Sequence, residues 1–324
     1  MVAYLMIEAP NLSTICEARY RLLGVIHRTP LVTTHTFPLG SHGELRFKAE
    51  NLQVTGSFKI RGAFNKVAQL ATRSRVGVVT ASSGNHGQAV AWAARYHCIS
   101  AHVVVPSTAP KSKVAAAEAY GATVEYYGTT SQERLDRAQE LAEEHGYQFV
   151  PPYDDVSVMS GQGTVGLEII EDWPEVDMVL VPIGGGGLIS GISTAIKSVK
   201  PNILVVGIES LGAAKAWQSR KQGYRVVLAH TDTIADGIKT LGLGVMTYPI
   251  VEKNVDRLLT VSEKSIAEAV KWLLTRPKIV VEPSGATTMA AILSYPDIFR
   301  DKNVVAVLSG GNLDPQVLSA ILSS

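Results

Sequence analysis

Between positions 76 and 150 short apolar runs alternate with helix-forming stretches, and this rhythm constrains the fold more than any other feature. Val76 to Ala81 (VGVVTA) reads as a buried strand, His86 to Tyr96 as a helix and Ala101 to Val105 (AHVVV) as the next strand. An alanine-rich helix over Lys111 to Tyr120 follows Pro110, a residue suited to a first helical turn because its missing N–H has no intrahelical partner there. Thr123 to Tyr127, Ser131 to His145 and Tyr147 to Val150 read as strand, helix and short strand. Right-handed crossovers turn such a βαβαβαβ series into a compact parallel sheet.

A second series opens at Met178 to Ile183 (MVLVPI), passes through a glycine run into a helix over Leu188 to Val199, and returns as Ile203 to Ile208. Further strands are predicted at Arg257 to Val261, Ile279 to Glu282 and Asn303 to Leu308, with a closing helix from about Pro315. The stretch before residue 76, which carries TGSFKIRGAFNKVAQL, is assigned to this larger unit. The expected organisation is therefore α/β, with a large domain of residues 1–73 and 150–324 and a small domain of residues 74–149. A length of 324 residues agrees with about two domains at ~150 residues each. Two doubly wound parallel sheets leave a cleft between them, and the carboxyl ends of parallel strands are where such folds place ligands.

Charge narrows the function classes. Thirty basic against twenty-nine acidic residues give a net charge of +1, and only 18% of residues are charged, which argues against a nucleic-acid surface and suits a small-molecule enzyme. Two cysteines, Cys16 and Cys98, read as free thiols in a reducing cytoplasm. The opening MVAYLMIEAP has no basic n-region, so no signal peptide is expected, and no apolar run reaches the ~20 residues of a membrane span. The expected protein is cytoplasmic, with no membrane partner.

Gly184, Gly185, Gly186 and Gly187 follow a buried strand and precede a helix. Glycines there let backbone N–H groups surround an anion, and the helix N-terminus adds partial positive charge, so the run reads as a phosphate cradle. A tight strand-to-helix turn is the plainer reading of the same residues. A dinucleotide site also fits in part: Glu209 lies at about the spacing of a ribose-binding acid, but Ser190 stands where the last glycine of G-x-G-x-x-G belongs. A P-loop is excluded because no Lys-Ser or Lys-Thr follows the glycines. In NLQVTGSFKIRG, Lys59 is predicted in the first turn of a helix capped by Thr55 or Ser57, where the positive end of the helix dipole lowers its pKa toward what a Schiff-base amine needs. In TASSGNHG a strand ends in a polar loop whose donors suit a carboxylate, or simply cap the next helix.

Together these segments resemble the pyridoxal-phosphate enzymes of fold type II, specifically the threonine/serine dehydratase and serine racemase group. The matching elements are ENLQVTGSFKIRGA at 50–63, ASSGNHGQAVAWAA at 81–94, PIGGGGLISG at 182–191, TIADGI at 233–238, VEPSGA at 281–286 and VLSGGN at 307–312. They occur in the family's order and span nearly the whole chain. The resemblance implies pyridoxal 5'-phosphate bound covalently by Lys59, with Phe58 packed near its ring and Asn85 hydrogen-bonded to its phenolic oxygen. Gly184 to Gly187 would hold its phosphate, Ser309 would face its pyridine nitrogen, and Glu282 of the VEPSGA element joins the cofactor-binding set. Ser82, Ser83, Gly84 and His86 would receive the substrate carboxylate.

The chemistry implied is removal of the α-proton by Lys59. A serine at the ring nitrogen does not protonate it as an aspartate would, so a carbanion bearing a β-hydroxyl should expel that group. Threonine or serine would give a 2-oxo acid and ammonia. Serine racemase is the alternative: Ser83 stands where racemases place a second base, whereas Tyr153 stands where dehydratases usually carry an aromatic. Racemases of this group also bind a divalent metal through residues matching Glu209, the carbonyl near Ala213 and a carboxylate at 215. This chain has Lys215 there, which cannot ligate a hard cation, so no such metal site is expected, and Glu209 is left for a monovalent ion or a salt bridge to Lys215. A nicotinamide oxidoreductase and a non-catalytic binding homologue are the rivals from outside the group. The resemblance also implies a homodimer, and a chain ending soon after SGGN is expected to lack a C-terminal regulatory domain.

Overall fold

The computed structural model describes residues 9–73, 76–82, 84–109 and 111–323. Most of the opening MVAYLMIEAP segment and the helix-opening Pro110 lie outside the described residues. In chain order the elements begin with α1 (Leu12–Leu22), β1 (Leu31–Thr33), β2 (Leu45–Ala49) and α2 (Lys59–Arg73). Next come β3 (Val78–Ala81), α3 (Asn85–Tyr96), β4 (Ala101–Val105), α4 (Lys111–Ala119), β5 (Thr123–Tyr126), α5 (Ser131–His145) and β6 (Gln148–Phe149). The chain continues through α6 (Val156–Asp172), β7 (Met178–Pro182), α7 (Gly187–Val199), β8 (Leu204–Ser210), α8 (Lys215–Gln222), α9 (Thr247–Asn254) and β9 (Arg257–Val261). It closes with α10 (Glu263–Thr275), α11 (Pro283–Ser294), α12 (Pro296–Phe299), β10 (Val304–Leu308) and α13 (Pro315–Ser323).

Two sheets form. The smaller has order β5-β4-β3-β6, all parallel. The larger has order β1-β2-β10-β7-β8-β9, parallel throughout except where β1 runs antiparallel to β2 at the edge. Side-chain alternation explains how both faces of the larger sheet are covered. Leu180, Val206, Ile208, Ala306 and Leu308 pack with α10 and α11 on one face, and their neighbours Val179, Val181, Val205, Val305 and Val307 pack with α6 and α7 on the other. The smaller sheet does the same, with Val78, Val103 and Val105 toward α2 and α3, and Val79 and Val104 toward Ala138 and Leu141 of α5.

Helix α2 joins the two halves. Its entry is tied to the larger sheet, since the Phe58 N–H donates to the Ser309 carbonyl at 3.0 Å and Ser57 bridges Gly310. Its apolar face, Ile60, Ala63, Phe64 and Val67, lies in the core of the smaller sheet. On the opposite side, the buried Arg61 guanidinium donates to Glu50 at 2.8 Å, Glu168 at 2.7 Å and Thr164 at 3.0 Å, and Lys48 donates to the same Glu168 at 2.6 Å. Two cations and two carboxylates thus neutralise one another where a single unpaired charge would be prohibitive.

The predicted strand at Ile279 to Glu282 does not form. Val281 is buried, but the segment pairs with no strand: the Ile279 N–H donates to the Leu273 carbonyl, Asn51 donates to the Val280 carbonyl and the Glu282 N–H donates to the Gly310 carbonyl before Pro283 starts α11. A short apolar run cannot by itself be told from a buried connection.

Candidate active site

The glycine run leaves β7 at the edge of a cleft of about 620 Å³ whose walls come from both halves of the molecule. Gly186 is the N-cap of α7 with φ +95°, a left-handed conformation that glycine adopts at little cost, and no side chain caps this helix. The Ser190 N–H donates to the Gly186 carbonyl at 2.9 Å, so the N–H groups of residues 187–189 precede the first helical turn's internal bonds. Protein neighbours also require glycine here. A Cβ at Gly185 would stand 2.5 Å from the Tyr153 ring, one at Gly186 2.7 Å from Thr247 Oγ1 and one at Gly187 2.8 Å from Tyr153 Cβ. The run is pinned from outside: Thr247 Oγ1 donates to the Gly185 carbonyl at 2.7 Å, and Asp154 accepts the N–H groups of Val245, Met246 and Thr247 at 2.9 to 3.2 Å.

Lys59 opens α2 inside the same cleft, its Nζ donating to the Pro152 carbonyl at 2.8 Å. Burial pulls its pKa down to about 8, with the Glu282 carboxylate opposing the shift. Desolvation, rather than the helix dipole expected from the sequence, is thus the main cause of the lowering. The expected caps are corrected as well: the hydroxyls of Thr55 and Ser57 are buried without hydrogen-bond partners and cap nothing. The bridge between Ser57 and Gly310 and the Phe58 N–H bond to the Ser309 carbonyl fix the helix entry in their place.

Ser82 and Gly84 form the turn after β3 and line the cleft, the Gly84 N–H reaching Ser82 Oγ at 3.4 Å. Ser83 lies outside the described residues. His86 sits in the first turn of α3, buried, with Nε2 against the Val150 carbonyl at 3.0 Å and Nδ1 unpartnered. Burial, aided by the Lys59 charge, lowers its pKa to about 3, so the ring is neutral at ordinary pH. Asn85 Nδ2 donates to both Glu282 oxygens at 2.9 and 3.1 Å, while its Oδ1 accepts from Asn312 Nδ2 at 2.7 Å. Phe58, Glu282 and Ser309 also line the cleft. The described candidates therefore converge: Phe58, Lys59, Ser82, Gly84, Asn85, His86, Gly184 to Gly187, Glu282 and Ser309 share one cavity, although they span 252 positions from residue 58 to residue 309. Tyr153 stands out in the sequence for another reason and Asn312 ends the VLSGGN element, but Asp154 and Thr247 carry no local signal.

The residues fit pyridoxal phosphate on their chemistry. The cradle presents first-turn N–H groups that no side chain caps, and an amine of depressed basicity shares the cavity. Behind the cradle, Lys215 and Glu209 are fully buried and paired at 3.4 Å.

An α/β molecule with two parallel sheets flanking a cleft, and a half-buried lysine beside a glycine cradle, defines an enzyme that works through a carbonyl cofactor. The chain belongs to the family described as "Pyridoxal-phosphate dependent enzyme", whose profile matches residues 22–310. It is 43% identical to the L-threonine ammonia-lyase of Thermotoga maritima over 97% of this chain and 78% of that one. It is 42% identical to the serine racemase of Dictyostelium discoideum over 97% and 98%. Among solved structures, maize serine racemase superposes with a TM-score of 0.92 at 37% identity, covering 98% of this chain and 98% of that one. The cofactor is pyridoxal 5'-phosphate, and no described helix is long and apolar enough to cross a membrane.

Proposed function

We propose that the protein deaminates a β-hydroxy amino acid such as L-threonine or L-serine by β-elimination, releasing a 2-oxo acid and ammonia. The observation that carries this reading is Lys59, held by Pro152 in the cleft with a pKa of about 8, close to where a biological base operates. When bound, the cofactor supplies the electron sink that acidifies the substrate Cα–H. Lys59 Nζ would hold the cofactor and, freed when the substrate's amino group takes its place, would accept the α-proton. Gly184 to Gly187 offer N–H groups to the phosphate, and Phe58 packs beside the ring. Ser309 presents an uncharged hydroxyl to the ring nitrogen, and Asn85, steadied by Glu282 and Asn312, orients the phenolic edge. Ser82, Ser83, Gly84 and His86 receive the substrate carboxylate.

Serine racemisation is the second reading, favoured by the serine racemase relative and by Ser83 as a base for the face opposite Lys59. In either reading residues 74–149 form the small domain against the rest, and the enzyme works as a cytoplasmic homodimer. A panel of β-hydroxy amino acids of both configurations, assayed for oxo acid and for enantiomer, tests the assignment. Oxo acid and ammonia in equal amounts from an L-substrate are expected; conversion of L-serine to D-serine faster than to pyruvate would reverse the order of the two activities.

A further inference from the structure

Lys215 is among the largest fully buried side chains, and no step above uses it. It opens α8, and its Nζ donates to the carbonyls of Ile183 at 2.9 Å, Ala213 at 3.1 Å and Ile238 at 3.1 Å. Glu209 Oε1 stands 3.4 Å away. Carbonyl oxygens only accept, so three such contacts require three N–H donors, and of the two forms of a lysine only the ammonium has three. Glu209 in turn accepts the Ala216 and Trp217 N–H groups at 2.9 and 2.8 Å, as an ionised carboxylate does. Burial pulls Lys215 toward deprotonation and Glu209 opposes it; the donor count shows which wins.

The ligands of this ammonium lie on segments that build the cofactor cradle. Ile183 immediately precedes Gly184, and Ile238 ends the turn Asp236–Ile238, whose Gly237 carbonyl packs 3.3 Å from where a Gly184 Cβ would be. Gly237 is fixed on its other side by its N–H to Ser284 Oγ, at 2.8 Å. Three carbonyls and one carboxylate around a single positive charge form the oxygen cage that a bare monovalent cation of ammonium size would take.

We propose that Lys215 is a tethered cation, a positioning residue whose ammonium occupies an oxygen cage beneath the glycine run and holds the phosphate cradle in shape. The protein therefore needs no free metal ion for cofactor binding, and truncating the lysine converts the cage into a binding site for potassium or ammonium.

This role for Lys215 rests on the glycine run holding the cofactor phosphate. The test is pyridoxal phosphate affinity of the apoprotein, followed by fluorescence quenching in tetramethylammonium buffer with and without added KCl or NH4Cl. Wild type should be indifferent to the added cation. Lys215→Ala should lose about tenfold or more in affinity, because Glu209 is left uncompensated, and should recover most of it on adding potassium or ammonium but not lithium. Lys215→Met fills the cage without a charge and should be weakened without rescue, which a merely packing role would not produce. Potassium dependence in wild type, or a Lys215→Ala protein whose affinity is normal or is unaffected by cations, would overturn the proposal. If Lys215→Ala does not fold in tetramethylammonium buffer, its soluble yield after refolding with and without potassium decides the same question: a yield raised by potassium supports the cage, and an equal yield refutes it. Gly186→Asp, measured in parallel, shows independently whether the run is the cradle.

Discussion

The pKa of Lys59 sets how fast the apoprotein can capture its cofactor, because only the neutral amine attacks an aldehyde. With a pKa of about 8 against an ordinary 10.5, ~9% of the amine is neutral at pH 7 in place of ~0.03%, a gain of ~300-fold. Stopped-flow absorbance should show the capture rate rising about tenfold per pH unit from pH 6, bending near 8 and levelling above it. The same measurement on a free lysine derivative at each pH divides out the cofactor's own titration. Glu282 opposes the shift, so Glu282→Gln should move the bend to lower pH and speed capture at pH 7. A rate that keeps climbing through pH 10, or a Glu282→Gln bend displaced upward, would refute the argument from burial.

His86 is neutral in the folded chain down to about pH 3 but protonates near 6.5 when unfolded, so it contributes stability that is present above 6.5 and lost as pH falls toward 3. Between pH 8 and pH 5 this amounts to ~2 kcal/mol, and His86→Asn should flatten that part of the stability profile measured by urea unfolding. Arg61→Met should cost ~3–5 kcal/mol by stranding Glu50 and Glu168, with Glu50→Gln in the same chain recovering part of it in urea titration. Ser83→Ala should abolish any racemisation while leaving L-substrate deamination within about tenfold; equal losses in both would make Ser83 a substrate contact only.

What is legible in the sequence is what local chemistry decides. The strands at Ala101–Val105 and Arg257–Val261 and the helix at Ser131–His145 stand at their predicted limits, the last because Thr130 and Glu133 form a capping box and Gly146 ends it in a left-handed turn. Strand β2 is hidden because Arg46 and Lys48 interrupt an apolar pattern, and Lys48 is tolerable inside because it donates to the Thr29 carbonyl and to Glu168, 120 positions away. Helix α6 lacks a polar face, being buried along Val158 to Ile170, so amphipathic periodicity gives no sign of it. The glycine run can be singled out because it draws its chemistry from its place at a helix N-terminus; Lys59 can be singled out by its place in a first helical turn, although burial and not the helix end depresses its pKa. Thr247, Asp154 and the carbonyl cage around Lys215 depend on contacts between segments distant in sequence, and nothing in a lone threonine or a lysine on a short helix announces them.

The most direct test of the active-site assignment is borohydride reduction of the coloured holoprotein followed by mass mapping, which fixes the cofactor on whichever amine carries it. A single pyridoxyl phosphate adduct on Lys59, absent together with the colour in Lys59→Ala, is the predicted result. An adduct on another lysine, or a Lys59→Ala protein that stays yellow and active, would contradict it.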